Sequence, residues 1–157
     1  MSGIEIRSAG PGDEELIGDL IRRAFGQFKE HYTPEAFEYT VATPERIRER
    51  FSEGPIYLAF EGDEPVGTVS GMPDLDRFYI RSMAVSPSEQ GRGIGQALLD
   101  TVVELARDMG FTKLYLYTTF VLPGAKPLYE KNGFYVVRET LPEEWFGMGG
   151  LEMEKAL

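Results

Sequence analysis

Apolar and polar residues alternate along this chain in two rhythms. In residues 3–8, Ile4 and Ile6 alternate with polar neighbours, the two-residue period of a half-buried strand. In residues 13–28, Ile17, Leu20, Ile21, Ala24, Phe25 and Phe28 recur at helical spacing and predict an amphipathic helix. Thr33-Pro34-Glu35 and Thr43-Pro44-Glu45 repeat one helix-start signal. Threonine caps, proline takes the first helical position and glutamate favours the first turn. A broken helical region is therefore expected over 33–52, ended by Gly54-Pro55. Residues 56–61 and 65–72 read as a hairpin around Gly62, Asp63 and Glu64, and 75–85 as a further strand. The strongest helical period lies in 94–109, where Ile94, Ala97, Leu98, Val102, Leu105, Ala106 and Met109 share one face before Gly110. A strand over 113–120, a short helix over 125–132 ended by Gly133, and strands over 134–140 and 151–155 follow. A long loop, 141–150, joins the last two strands.

Antiparallel hairpins come first and a strand–helix–strand–helix–strand run comes second. That order argues for an α+β or α/β domain around a mixed sheet. The length of 157 residues fits one domain, 1–157, large enough to bury a core without metal or disulfide.

Composition narrows the functional classes. With 42% hydrophobic and 27% charged residues the chain is ordinary for a globular protein. It has no cysteine, which excludes disulfides, cysteine nucleophiles and thiolate metal sites and suits a cytoplasmic location. Residues 1–10 lack the basic and apolar regions of a signal peptide, and no apolar run approaches the ~18 residues of a membrane span. A net charge of -10 disfavours nucleic acid and anionic membranes as partners. Any polyanion bound by such a chain needs a local positive site, which backbone N–H groups at a helix start can supply.

Such a site is written at residues 90–95. Gln90-Gly91-Arg92-Gly93-Ile94-Gly95 follows Met83-Ala84-Val85 and opens the long helix. Glycines there allow tight turning and close approach of a bulky anion, and the free N–H groups of the first helical turn suit a diphosphate. A dinucleotide fingerprint fits poorly, because Leu98 stands where the third glycine belongs and residues 111–120 hold no acid. A nucleotide P-loop needs Gly-Lys-Ser or Gly-Lys-Thr, which is absent. A tight turn without a ligand is the remaining alternative.

Downstream stands Ala125-Lys126-Pro127-Leu128-Tyr129-Glu130-Lys131-Asn132-Gly133-Phe134. Alone, Tyr129 reads as a packing aromatic. Together the two segments resemble the GCN5-related N-acetyltransferases. Gln90, Gly93 and Gly95 match that family's Gln/Arg-x-x-Gly-x-Gly/Ala loop, Val85-x-Pro87 matches the residues before it, and Ala125, Tyr129, Gly133 and Phe134 match Ala-x-x-x-Tyr-x-x-x-Gly-Phe. The match covers roughly 78–138. The resemblance implies a mostly antiparallel central sheet of six to seven strands flanked by about four helices, splayed between strands four and five. It implies acetyl-CoA as co-substrate without a metal, and transfer of its acetyl group to a primary amine of a small molecule or peptide. Met83, Ala84 and Val85 would pair with the pantetheine arm, and Gln90, Gly91, Arg92, Gly93, Ile94, Gly95 and Gln96 would hold the pyrophosphate. Tyr129 would be the catalytic residue, near the sulfur. Dimers are common in the family, so a homodimer is an expectation of the resemblance alone. A non-catalytic acyl-CoA-binding sensor of the same fold is the alternative reading.

Chemically, the amine must be neutral, the oxyanion stabilised and the thiolate protonated as it leaves. A phenol near ~10 can act as general acid toward a thiol near ~8.5, and a backbone N–H near Met83 to Val85 could polarise the carbonyl. No base stands out among Glu30, His31, Asp74, Asp76, Glu143 and Glu144. Where many family members carry asparagine after the fifth strand, this chain has Thr118, Thr119, Phe120 and Val121. Phe28, Tyr32, Trp145 and Phe146 offer apolar walls for the acceptor. Those walls, the nearby acids and the acidic net charge suggest a cationic or aromatic amine.

Overall fold

A computed structural model describes residues 3–157; positions 1 and 2, which begin the stretch read above as lacking a signal peptide, lie outside the described residues. Seven strands form one sheet: β1 (Ile4–Ser8), β2 (Ile56–Glu61), β3 (Glu64–Asp74), β4 (Arg77–Val85), β5 (Lys113–Thr119), β6 (Tyr135–Thr140) and β7 (Gly150–Ala156). Their order is β1-β2-β3-β4-β5-β7-β6. Every pairing is antiparallel except β4 with β5. The α-helices are α1 (Glu14–Gly26), α2 (Pro34–Thr40), α3 (Pro44–Arg50), α4 (Ile94–Asp108) and α5 (Ala125–Lys131).

Five helices rather than four arise because each threonine-proline signal starts its own helix. The Thr33 hydroxyl accepts from Ala36 N–H at 3.2 Å and the Thr43 hydroxyl from Arg46 N–H at 3.3 Å. Prolines 34 and 44 occupy the first turns, where no N–H is needed. The first helix is shorter than its apolar period suggests: it ends at Gly26, and Lys29–His31 form a single 3-10 turn. The strand expected from residue 75 begins at Arg77, because Leu75 turns the β3–β4 hairpin at φ 57° and is 95% exposed.

The sheet is covered on both faces. On one, Ile94, Leu98, Leu99, Val102 and Ala106 of α4 pack on Val66, Phe78, Ile80, Leu114 and Met153. On the other, Ile17, Leu20, Ile21 and Ala24 of α1, with Ile47 of α3, pack on Ile56, Leu58 and Ala84. Gly67 sets the depth of α4: a Cβ there would stand 2.9 Å from Leu98 Cδ1 and 3.0 Å from Ile94 Cγ2.

The splay between β4 and β5 positions the site. These parallel strands pair only at Phe78↔Leu114 and Tyr79↔Tyr115, and beyond Tyr79 they part. On the β3 side, Ser70 pairs with Arg81 and Thr68 with Ala84, so Ser82 and Met83 together oppose Val69. Ser82 takes the bulge at φ 55°. A bulge bends and twists its strand, and here the bend lies where β4 leaves β5.

Candidate active site

The glycine segment lies at the open end of this splay. Ala84 and Val85 pair with Thr68 and Gly67 of β3 along one edge, while the other edge faces the gap left by β5. Gly91 and Gly93 adopt φ 84° and 83°, a left-handed conformation that side chains disfavour. Gly93 caps α4, whose first i→i−4 bond runs from Ala97 N–H to the Gly93 carbonyl at 3.1 Å. Ile94, Gly95 and Gln96 therefore begin the helix with N–H groups free for an anion. Met83, Ala84, Val85, Gln90, Gly91, Gly93, Ile94, Gly95 and Gln96 all line one cleft of about 500 Å³, with Leu128 and Tyr129 on its far wall. These features fit a diphosphate joined to an extended arm.

Three polar side chains of the segment are already engaged. Gln90 Nε2 donates to the Val85 carbonyl at 3.2 Å and ties the loop back to β4. Arg92 spreads its guanidinium over Glu61, at 2.9 and 2.5 Å, and over Glu89, so its charge is partnered within the protein. Gln96 binds Asn132, at the end of α5.

Tyr129 stands where two cavities meet. It lines the glycine-loop cleft and a second cavity of about 410 Å³ on the α1–α3 side of the splay. Phe25, Met83 and Leu122 share that boundary. The Tyr129 residue is 9% exposed, and its ring packs edge-on against Phe134 with centroids 5.6 Å apart. Its hydroxyl makes no hydrogen bond within the described residues. Burial, with a smaller contribution from Tyr79, pushes its pKa up to about 12, so the phenol remains a proton donor across the neutral range.

The second cavity is walled by aromatic residues, among them Tyr32, Tyr39, Tyr79, Tyr117 and Trp145, with Arg50, Arg81 and Thr118 between them. The helical region after α1 and the 141–150 loop meet here, joined by a 2.6 Å hydrogen bond from the Thr33 hydroxyl to the Phe146 carbonyl. Of the expected walls, Tyr32 and Trp145 line this cavity. Phe28 lines the glycine-loop cleft instead, and Phe146 lines neither and packs on Tyr39 with centroids 5.3 Å apart. Among the six base candidates only Glu144 reaches a wall. It is bound by Arg138 at 2.9 Å, and that contact holds its carboxyl below the ordinary range. Glu30, His31, Asp76 and Glu143 are exposed, and Asp74 accepts from the Tyr115 hydroxyl at the far end of β3. Thr118 and Thr119, in place of the family's asparagine, line the cavity; Thr119 stands beside the Tyr32 hydroxyl, and the Thr118 hydroxyl has no partner among the described residues. Among the described residues no group of three or more His, Asp or Glu side chains is arranged to hold a metal ion, and no helix is long and apolar enough to cross a membrane.

Arg50, Tyr79 and Ser82 are the residues that the sequence alone does not single out. Arg50 ends a run of alternating charges that reads as a solvated helix face, yet it is 9% exposed and donates to Ser82 Oγ at 3.0 Å.

The site thus joins a splayed mixed sheet, a glycine-opened helix and a buried tyrosine across the gap. Residues 17–134 match the model of the Acetyltransferase (GNAT) family, and the chain belongs to that family. It is 32% identical over 101 residues to N-acetyltransferase 8B of Rattus norvegicus, covering 60% of this chain and 46% of the relative. It is 27% identical over 155 residues to mycothiol acetyltransferase of Geodermatophilus obscurus, covering 91% and 47%. The chain thus spans about half the length of these curated relatives. Its fold is that of PaiA N-acetyltransferase from Thermoplasma acidophilum, solved in complex with coenzyme A, at a TM-score of 0.84 and 20% identity, covering 98% of this chain and 99% of that one. The ribosomal-protein-S18-alanine N-acetyltransferase of Escherichia coli superposes with a TM-score of 0.79 at 18% identity, covering 98% and 93%.

Proposed function

We propose that this chain is a single acetyltransferase domain that moves the acetyl group of acetyl-CoA directly to a primary amine of a small molecule or peptide. The observation that carries the reading is the place of Tyr129, on the wall shared by the glycine-loop cleft and the aromatic cavity. One opening would receive the cofactor and the other the acceptor, and they meet at a proton donor.

In this reading the N–H groups of residues 91–96 hold the pyrophosphate, and Met83, Ala84 and Val85 align the pantetheine arm along the free edge of β4. The amine nitrogen forms the new C–N bond, the C–S bond breaks, and the amine's proton leaves to water. With a phenol at about 12, full proton transfer to a sulfur near ~8.5 is uphill. Tyr129 therefore acts chiefly by donating a hydrogen bond to the departing thiolate, a narrower role than general acid. With its one carboxylate bound to Arg138, the cavity offers no free base, so the amine enters neutral or loses its proton through water. The absence of cysteine fits direct transfer and a reducing compartment such as the cytoplasm.

The test is a thiol-release assay with acetyl-CoA and a panel of amines, amino acids and peptides. Acceptor-dependent release of one thiol per acetylated amine is expected. CoA binding with no release for any acceptor would leave a binding module and sink the enzyme reading.

A further inference from the structure

A buried arginine in the aromatic cavity has no acid paired with it among the described residues. Arg50 is 9% exposed and its single hydrogen bond goes to a neutral hydroxyl, Ser82 Oγ at 3.0 Å. That uses one of the guanidinium's five N–H donors. No carboxylate among the described residues lies within ion-pair distance of it, whereas neighbouring Arg81 has Glu53. Among the described residues the one carboxylate on the cavity wall, Glu144, belongs to Arg138. Arginine cannot shed its proton to relieve burial, and one bond to a serine does not offset the desolvation of a charge. Burial and the like charge of Arg81 press its pKa down, and the opposing influence of Tyr39 and of Glu53, which is paired with Arg81, does not outweigh them. A second group in the same cavity is also unsatisfied: Thr118 is 7% exposed, and its hydroxyl has no partner.

We infer that the acceptor carries a carboxylate, which Arg50 binds. The inference rests on the acetyltransferase reading and names its acceptor class: an α-amino acid with an apolar or aromatic side chain, rather than a cationic amine. Position supports it. Ser82 directly precedes Met83, and Met83 lines both cavities. A carboxylate held beside Ser82 keeps an α-amine close to the strand end where the thioester would lie. The Tyr32, Tyr39, Tyr79, Tyr117 and Trp145 walls suit the apolar remainder. A protein of net charge -10 thus keeps a cationic pocket in an acidic field.

The experiment compares L-phenylalanine, L-phenylalaninamide and phenethylamine as acceptors for the full chain with acetyl-CoA. Loss of charge-assisted hydrogen bonds is expected to lower kcat/KM for the amide by about 10- to 100-fold, mainly through KM. The amide is the weaker base, so protonation opposes that order. Arg50→Gln should bring acid and amide to within about threefold of each other, and Arg50→Lys should fall between it and the wild type. A merely structural arginine would lower both acceptors alike and leave their ratio intact. If Arg50→Gln does not fold, the wild-type acid-to-amide ratio decides alone. Equal or better turnover of the amide by the wild type would overturn the inference while leaving the acetyltransferase reading intact. If no acceptor releases thiol, that reading fails, and calorimetry on the CoA-saturated protein decides the carboxylate site. Preference for N-acetylphenylalanine over its amide, lost in Arg50→Gln, upholds it; no preference rejects it.

Discussion

Gln96 and Asn132 exchange hydrogen bonds through their side-chain amides. Asn132 Nδ2 donates to Gln96 Oε1 at 2.9 Å, and Gln96 Nε2 donates to Asn132 Oδ1 at 2.6 Å. Asn132 Nδ2 also donates to the Leu128 carbonyl at 2.8 Å, across the end of α5, and Gln96 Nε2 to Asp100 Oδ1 at 2.9 Å. The pair ties the first turn of the glycine-opened helix to the helix that carries Tyr129. Asn132→Ala should cost about 1–2 kcal/mol and lower Tm by several degrees. Gln96→Ala should cost about as much, since Asn132 then keeps its bond to Leu128 just as Gln96 keeps its bond to Asp100 in Asn132→Ala. Thermal denaturation of the double mutant checks the coupling: the two losses should fall short of additivity by at least about 0.5 kcal/mol. Strictly additive losses would show that the amides act independently.

The glycines of the loop divide into two kinds. Gly93 sits at φ 83°, so Gly93→Ala should destabilise the fold by about 1 kcal/mol and weaken CoA binding together. Gly95 lies inside α4, and a Cβ there would meet only Leu128 Cδ2 at 3.7 Å and Val85 Cγ2 at 3.8 Å, ordinary contacts. Gly95→Ala should therefore raise stability by about 0.5–1 kcal/mol while weakening CoA binding, because its only crowded neighbour would be the cofactor. Melting curves with and without CoA separate the two effects. Undiminished CoA affinity in Gly95→Ala would remove that position from the cofactor site.

Tyr129→Phe is the direct test of the proposed hydrogen bond to sulfur. The hydroxyl has no partner among the described residues, and the ring's packing on Phe134 survives the change. Stability should stay within about 0.5 kcal/mol. Turnover should fall about 100-fold, with CoA affinity changed far less. Steady-state kinetics beside CoA calorimetry would reveal the split; unchanged turnover would move Tyr129 from chemistry to packing.

What was legible in the sequence was local. The threonine-proline helix starts, the apolar stripe of α4 and the glycine turn that opens it each act through neighbours along the chain; the helix starts appear as read, and the stripe does so except that Met109 lies exposed beyond the helix end and Leu99 joins the buried face. The splay's depth was not legible from residues, because the bulge at Ser82 contains neither glycine nor proline; it follows from the register of β3 against β4. Arg50 was hidden for a similar reason, since its burial comes from Ser82 and the cavity wall, 32 residues away. The question of a base, which the sequence left open, shows the opposite case. Glu30 and His31 are close to the site in sequence, but the 3-10 turn leaves both exposed.

The buried phenols also set a pH response. Tyr129 and Tyr79 are both pushed up to about 12, in each case mainly by burial, while an unfolded tyrosine titrates near ~10. Between these values the unfolded chain loses protons that the folded chain keeps, so rising pH favours unfolding. The stability the raised pKa represents is intact below about pH 10 and is lost as pH climbs toward 12, by roughly 1.4 kcal/mol per unit for each phenol. Denaturant unfolding at pH 9, 10 and 11 should show this decline. It should be shallower in Tyr129→Phe and in Tyr79→Phe, and shallowest in the double mutant. Ultraviolet titration compared with the two variants should show both phenols ionising only with the alkaline unfolding transition. The chain has eight tyrosines, so the variants assign the signal: if Tyr129→Phe and Tyr79→Phe each remove one phenol that ionises near pH 10 in protein that stays folded, neither is shielded from water, and Tyr129 would then ionise too early to serve as a donor in alkaline solution.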